Sequence, residues 1–303
     1  MRAPAGSPAD SSGTRRRPPR GGRNLPAAVA VGLALGAAIV VPLFTVRPAF
    51  VVVAVAAVVV GSWEMVHAVD TRAGEARAIA ARSVGARARV PLPPLVIGGA
   101  AMLVAAWYAG AQALLLGLLI TAVVVAVWRL SAAPAGYLRD VRTGVLVAVY
   151  VPFLAGFCLL LAVPDDGARR VTTFVATVVC SDVGGYALGS LMGRHPMAPT
   201  VSPKKSWEGF LGSTIACLIA GVSFLTLLFP GRGSWGEGAV FGLAVVVAAT
   251  LGDLGESMIK RDLGVKDMGS LLPGHGGLMD RLDSLLVTAP VAYLMLQAFV
   301  PPQ

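Results

Sequence analysis

The sequence predicts an all-α, polytopic integral membrane protein of about nine transmembrane helices, with its N-terminus in the cytoplasm. Of the 303 residues, 56% are hydrophobic and only 14% are charged, and the mean hydropathy is +0.75. A soluble domain of this size carries about a quarter of its residues charged. The apolar residues are also grouped, in runs of about 18 to 22, the length that a helix needs to cross a bilayer core. Finally, the cations between those runs are unevenly distributed, as they are when Lys and Arg set the orientation of a membrane protein. A soluble fold is excluded.

Residues 1–24 hold Arg15, Arg16, Arg17 and Arg20 among Pro, Gly and Ser, with almost nothing to bury, and read as a disordered basic cytoplasmic tail. The run from Leu25 to Phe44 is too long for a signal-peptide core. It leads into Arg47-Pro48 rather than a small-residue cleavage site, so it stays as the first span. Residues 25–303 then form a single transmembrane domain, with spans at roughly 26–45, 49–68, 93–110, 111–130, 143–163, 170–192, 209–229, 238–259 and 284–301. In hydrocarbon the backbone must satisfy its own hydrogen bonds, so runs of this length become helices. The third and fourth share only a short turn at Ala109-Gly110.

With the tail inside, 21 of the 25 Lys and Arg fall on the cytoplasmic side, and Arg47, Arg169, Arg170 and Arg232 on the other. A one-helix error would scramble this bias. Topology thus accounts for the net charge of +9 without a nucleic-acid partner. Cys158, Cys180 and Cys217 lack the spacing of a zinc site or redox pair and read as buried thiols. Glu64 and Asp70 flank the second span and read as structural. Asp165, Asp166, Arg169 and Arg170 read as a solvated outer loop.

Two cytoplasmic loops, at 181–209 and 253–284, differ from the Ala- and Arg-rich connectors by carrying acids, bases, Ser, Gly and His in dense order. Asp253, Ser257 and Lys260 stand at i, i+4 and i+7 on one helical face, with Glu256 beside it. An acid within the last turns of a membrane helix is costly unless it faces protein, water or an ion. Lys260, Arg261 and Lys266 concentrate positive charge at the helix C-terminus. Pro273-Gly274-His275-Gly276-Gly277 is a tight turn whose glycines would let phosphate oxygens approach backbone N–H groups. Asp280 and Asp283 then open the last span and project to one side. Carboxylates from two helix ends beside clustered cations suit Mg²⁺, which takes a few carboxylates plus substrate phosphate oxygens. Phosphoryl or nucleotidyl transfer needs mainly this positioning and charge stabilisation.

The segment Ser257…Lys260-Arg261…Lys266-Asp267…Pro273-Gly274-His275-Gly276-Gly277…Asp280-Arg281…Asp283 resembles the signature of the phosphatidate cytidylyltransferase (CDP-diacylglycerol synthase) family. Ser181-Asp182-Val183-Gly184-Gly185-Tyr186 and Ser202-Pro203-Lys204-Lys205-Ser206-Trp207-Glu208-Gly209 resemble that family's other cytoplasmic loop. The motifs cover the last 125 or so residues; the first half matches only as apolar helices. Val183-Gly184-Gly185 stands where the family would have Thr-Gly or Thr-Ala, which removes a hydroxyl and leaves Asp182 available.

The resemblance implies that a phosphatidate oxygen attacks the α-phosphorus of CTP, releasing pyrophosphate and leaving CDP-diacylglycerol in the membrane. It implies that Asp253, Asp280 and Asp283 hold one or two divalent or mixed ions, Mg²⁺ among them, and that Lys260 acts in catalysis with them. Ser257, Lys260 and Arg261 would face phosphates, and Lys204 and Lys205 would meet nucleotide or lipid phosphate. Asp182, Ser202, Lys266, Asp267, His275 and Arg281 complete the substrate-binding set. CTP, phosphatidate and membrane lipids are the implied partners, a homodimer the implied assembly, and the cytoplasmic membrane the implied location.

Simpler roles compete for individual residues. Asp280 and Asp283 could cap the last helix, Asp182 could pair with Lys204, His275 could bond within its own turn, and Glu208 could be a helix N-terminal charge. At the level of function, no Asp-Gly-x-x-Ala-Arg pattern supports a CDP-alcohol phosphotransferase. A cytidylyltransferase for an isoprenoid-type lipid phosphate is a nearer alternative. A transporter is a more distant one, because transporters hold charge near the midplane. With Ser270→Cys, a membrane-impermeant maleimide is expected to label only from the cytoplasmic face; labelling from outside would overturn the orientation.

Overall fold

The computed structural model describes residues 25–80, 90–132, 134, 136–269, 271 and 276–302. The basic tail and His275 lie outside these residues. The described chain is mostly helical: α1 Leu25–Thr45, α2 Arg47–Ala80, α3 Leu92–Leu130, α4 Tyr137–Ala148, α5 Leu154–Ala162, α6 Gly167–Met192, α7 Trp207–Leu228, α8 Trp235–Leu263 and α9 Met279–Phe299. A π turn, Val149–Phe153, joins α4 to α5 in one continuous rod. Among the described residues seven helical segments are long and apolar enough to cross a membrane: Arg47–Thr71, Leu92–Leu130, Tyr137–Ala162, Gly167–Met192, Trp207–Leu228, Trp235–Leu263 and Met279–Phe299.

The 39 residues of α3 would extend about 58 Å as a straight rod, nearly twice a bilayer core. They do not run straight. Gly110 adopts φ 75°, ψ −161°, which a side chain would resist, and the helix doubles back there. Gly98 then lies against Thr121 and Gly117 against Met102, so the two halves pack as an antiparallel pair about the turn expected at Ala109-Gly110.

Close packing follows from small residues, the usual means of helix association where lipid is as apolar as Leu. Gly184 of α6 and Gly212 of α7 face each other so closely that a methyl on either would strike the other's carbonyl. Gly221 of α7 and Gly238 of α8 repeat the arrangement. These contacts fix α6, α7 and α8 as a layer, against which α9 packs through Gly252 and the backbone at Asp283 and Ser284. At one end of the bundle Arg129 and Asp140, each 4% exposed, pair at 2.9 Å and tie α3 to α4.

Two features depart from the sequence reading. A two-stranded antiparallel hairpin, β1 Pro196–Ala198 and β2 Ser202–Ser206, interrupts the all-helical pattern between α6 and α7. The second departure is at the other end of the bundle: of the four residues expected in a solvated loop, Asp165 and Arg169 are exposed, but Asp166 and Arg170 form a latch. Arg170 is 1% exposed; it pairs with Asp166 at 2.5 Å and donates to the carbonyls of Leu296 and Val300 at the end of α9. Arg232 joins Asp166 at 3.0 Å and donates to Pro301 O. Leu296 O also accepts Val300 N within the helix, whereas Val300 O, past the last turn, takes its donor from the guanidinium.

Burial opposes the charge of Asp166, but hydrogen bonds and charge from Arg170 and then Arg232 outweigh it and hold the carboxyl below its ordinary value. A carboxylate depressed in the folded state stabilises at pH above its unfolded pKa of about 3.9, and that contribution is lost as pH falls through the folded value. Asp166→Asn is expected to cost about 3 kcal/mol at neutral pH, since it strands the buried Arg170. The deficit should shrink on acidification below about pH 4. Thermal unfolding in detergent across pH checks both.

Candidate active site

The two motif-bearing loops meet at the end of the bundle opposite the Arg170 latch. The order begins with Glu64, one turn and a half from the end of the second span. It is 1% exposed, and its carboxylate accepts from the backbone N–H groups of Leu278 (3.1 Å) and Met279 (2.8 Å), the start of α9. An anion is favoured there by the helix dipole and by donors that lack intrahelical partners. Side chains at Gly269 or Gly277 would run into this carboxylate, and Gly276 sits at φ 81°. Gly276 and Gly277 therefore serve the chain's own acids, where the sequence reading gave them to phosphate oxygens.

Asp280 closes the same loop. Its oxygens accept from Gly277 N (2.7 Å) and Met268 N (3.1 Å), and Lys260 reaches Oδ1 at 2.6 Å. Lys260 also pairs with Glu256 at 2.7 Å, so this cation bridges α8 and α9. Asp280 thus bonds the preceding loop and not the first-turn N–H groups of α9, and its carboxylate is taken up there rather than presented beside Asp253. Asp283, one turn on, is half-buried; it accepts from its neighbour Ser284 N at 2.7 Å and stands within hydrogen-bonding reach of the Glu256 carboxyl.

Asp253 of α8 pairs with Lys205 of β2 at 2.6 Å. Asp182 of α6 opens to the surface within the electrostatic field of Asp253, Asp283, Lys205 and Arg281. Lys205, not Lys204, is the cation near it. Glu208 is more than a helix-start charge: it pairs with His195 at 2.6 Å and accepts from Arg194 N and His195 N, anchoring the hairpin to α7. Arg261 fixes the hairpin's turn to α8 by donating to Val201 O at 3.1 Å.

Two adjoining clefts result. One, of about 240 Å³, is bounded by Asp182, Lys204, Lys205 and Asp253, with Gly185, Gly189 and Gly209 in its walls. The other, of about 570 Å³, is lined by Ser202, Lys204, Ser257, Lys260, Arg261 and Lys266, with no acid among its lining residues. Lys204 borders both. Asp267 is exposed next to Gly276, at the rim of the loop. Arg281 is exposed at the start of α9. Of the expected residues, Asp182, Lys204, Lys205 and Asp253 border one cleft and Ser202, Lys204, Ser257, Lys260, Arg261 and Lys266 the other, while Asp267, Arg281 and Asp283 line neither and Asp280 is taken up by the loop.

Sequence reasoning read Glu64 as structural, which it is, but named no partner for it, although an acid inside an apolar run is itself a signal that a partner must exist. It also left Glu256 without a role. Glu256 is 1% exposed, with one oxygen on Lys260 and Oε1 without a partner.

Among the described residues no three acidic, His or Cys side chains stand close enough to enclose a metal ion. Asp182, Asp253 and Asp283 nonetheless lie within one another's fields, and Asp182 and Asp253 border an open cleft. Few hard carboxylates with room for substrate oxygens is the donor chemistry that Mg²⁺ takes. The residues fit a substrate-completed site, not a closed protein cage.

Glu64→Ala is expected to destabilise by about 2 to 4 kcal/mol, because two buried N–H groups lose a charged acceptor. Glu64→Gln keeps one acceptor and should cost roughly half as much. Scanning fluorimetry of the two variants checks the order.

A model of the cytidylyltransferase family matches residues 26–299. The chain is 44% identical to a phosphatidate cytidylyltransferase of Mycobacterium leprae, over 92% of this chain and 89% of that protein. It is 40% identical to a phosphatidate cytidylyltransferase of Mycobacterium bovis, over 97% of each. A match along nearly the whole chain covers the apolar first half as well as the motif-bearing loops, and the chain belongs to the cytidylyltransferase family.

Proposed function

We propose that this chain transfers the cytidylyl group of CTP to phosphatidate. A phosphate oxygen of the lipid forms a bond to the α-phosphorus, the bond from that phosphorus to the bridging oxygen breaks, and pyrophosphate leaves with the electron pair. The observation that carries this reading is the pair of adjoining clefts, one with four cations and no acid, the other bordered by carboxylates, with Lys204 shared between them. A triphosphate needs the first. The reacting centre needs the second.

Within that reading, Lys260, Arg261 and Lys266 offset the charge of the leaving phosphates, and Ser257 and Ser202 offer hydroxyls to phosphate oxygens. Lys205 is placed by its pairing with Asp253 to meet the phosphate that bridges the two clefts. Asp253 and Asp283, with Asp182 at the cleft mouth, would hold Mg²⁺ together with substrate oxygens. Bound there, the ion would polarise the α-phosphoryl group and stabilise charge developing on the oxygens around it. Asp280 acts by holding the loop and Lys260 in register.

The clefts lie at the end of the bundle that the Lys and Arg distribution assigns to the cytoplasm, where CTP is dissolved. Counting the folded α3 as two crossings and α1 as one gives nine spans with the N-terminus inside. A homodimer is the assembly we infer, and cross-linking in lipid that yields only monomer would count against it.

Purified protein given CTP and phosphatidate is expected to release pyrophosphate and CDP-lipid in equal amounts only when Mg²⁺ is present. Asp283→Asn should lower turnover at least a hundredfold with an unchanged melting temperature. Near-normal turnover would remove Asp283 from the reacting centre. Conversion of an isoprenoid phosphate in place of phosphatidate would keep the chemistry and change the lipid.

A further inference from the structure

Among the described residues three buried side-chain polar atoms have no hydrogen-bond partner: Ser62 Oγ on α2, Tyr150 Oη on the π turn and Glu256 Oε1 on α8. Buried polar groups are paired in the great majority of cases, so each such atom asks for a partner. Tyr150 lies within the field of Glu256, Asp283 and Asp253, beside the carboxylates of the active site. It stands on a π turn that contains Pro152, a local distortion of the kind that recurs at functional sites. Gly61 of α2 packs on Val151 and Met279, which brings Ser62 to the same level.

Directly below this polar level is a cleft of about 90 Å³ with an almost wholly apolar wall. It runs on α9 from Leu282, the residue before Asp283, to Ala289, and on α2 from Val58 to Phe50. Ala54 and Ala57 on α2 are half-buried and open into it, and Val151 and Cys158 form the opposite side. The cleft itself is apolar throughout, and the polar level adjoins one end of it, since Tyr150 and Asp283 are the chain neighbours of its lining residues Val151 and Leu282. A nucleotide has no part that suits the apolar end. A molecule with a phosphate at one end and hydrocarbon at the other suits both.

We propose that this cleft seats part of an acyl chain of the lipid substrate, and that Tyr150 Oη donates a hydrogen bond to an oxygen at the lipid's polar end. The proposal rests on the lipid-phosphate reading above and adds where the lipid lies. Asp283 then meets the lipid phosphate where the cleft opens, while CTP occupies the cation-lined cleft on the far side of Lys260.

The test compares Ala54→Leu, which fills the deep part of the cleft, with Tyr150→Phe, which removes only the hydroxyl. Ala54→Leu is expected to raise KM for dioleoyl phosphatidate at least tenfold more than KM for dibutanoyl phosphatidate, whose four-carbon chains fall short of Ala54, about 6 Å along α2 from Val58. KM for CTP serves as the reference. Equal effects on the two lipids would overturn the acyl-chain site. Tyr150→Phe is expected to lower kcat/KM for phosphatidate about tenfold while the melting temperature holds or rises, because a merely structural hydroxyl without a partner is no loss. Unchanged kcat/KM would overturn the role of Tyr150. Native mass spectrometry with dioleoyl phosphatidate reads binding apart from turnover. Should the unsubstituted protein turn over neither lipid, the assigned reaction fails, and retention lost in Ala54→Leu would still support the site while equal retention would overturn it.

Discussion

The active-site end of this protein is organised by a carboxylate that belongs to neither motif-bearing loop. Glu64, inside the second helix, accepts the first N–H groups of α9 from a position with 1% exposure. Taking a carboxylate out of water costs several kcal/mol unless its hydrogen bonds are replaced. Here the replacements are backbone donors at a helix N-terminus, where the dipole adds to the attraction. The contact fixes where α9 begins, and with it the places of Asp280 and Asp283. It also explains two glycines by geometry alone, because Gly269 and Gly277 leave the room that Glu64 occupies. Asp280 repeats the device one turn later with Gly277, Met268 and Lys260. Two acids of the chain thus hold the loop, and Lys204, Lys260, Arg261 and Lys266 line the larger cleft.

The opposite end solves a different problem with the same chemistry. Past Leu296, whose carbonyl accepts Val300 N, the carbonyls at the end of α9 run out of intrahelical donors, and lipid offers none. Arg170 supplies them from the first turn of α6, with Asp166 and Arg232 balancing its charge. Between the two ends the helices approach through glycine pairs such as Gly184 and Gly212, which need no polar group at membrane depth. The charged clusters are therefore confined to the ends of the bundle. The apolar interior between them is what leaves a hydrocarbon cleft adjoining a polar site.

Much of the fold was legible because its main signal is one-dimensional. The length of an apolar run decides a membrane helix, and a Gly between two such runs decides where it can double back, as Gly110 does. The β1–β2 hairpin was not legible: strands of three and five residues are too short to show a period, and Pro203 within Ser202–Ser206 reads as a loop. At the site, residue types and loop membership could be read, and they gather on two clefts. Partnerships could not. Glu64 and Met279 are 215 positions apart, and no spacing rule links them. The i, i+3 relation placed Asp280 and Asp283 on one side, yet the first turn of α9 draws Asp280 back into its loop while Asp283 stays forward. That division depends on where the helix starts, which Glu64 sets from another segment.

The balance of charge at the site bears on how its residues can be interrogated. The acids Asp253, Glu256 and Asp280 each face a lysine, and Lys260 serves two of them at once. A nearly neutral assembly of this kind can persist at a membrane interface without substrate, because each partner lowers the desolvation cost of the other. The same pairing means that removing one member strands its neighbour. A lysine-to-alanine change at Lys205 or Lys260 would therefore mix a loss of phosphate contact with the cost of an uncompensated carboxylate. Changes that keep shape, such as amide for acid at Asp283 or phenyl for phenol at Tyr150, disturb this balance least. Tyr150 Oη has no hydrogen-bond partner, and Asp283 pairs with no cation, its neighbours being Ser284 N and the Glu256 carboxyl, so neither change strands a buried lysine.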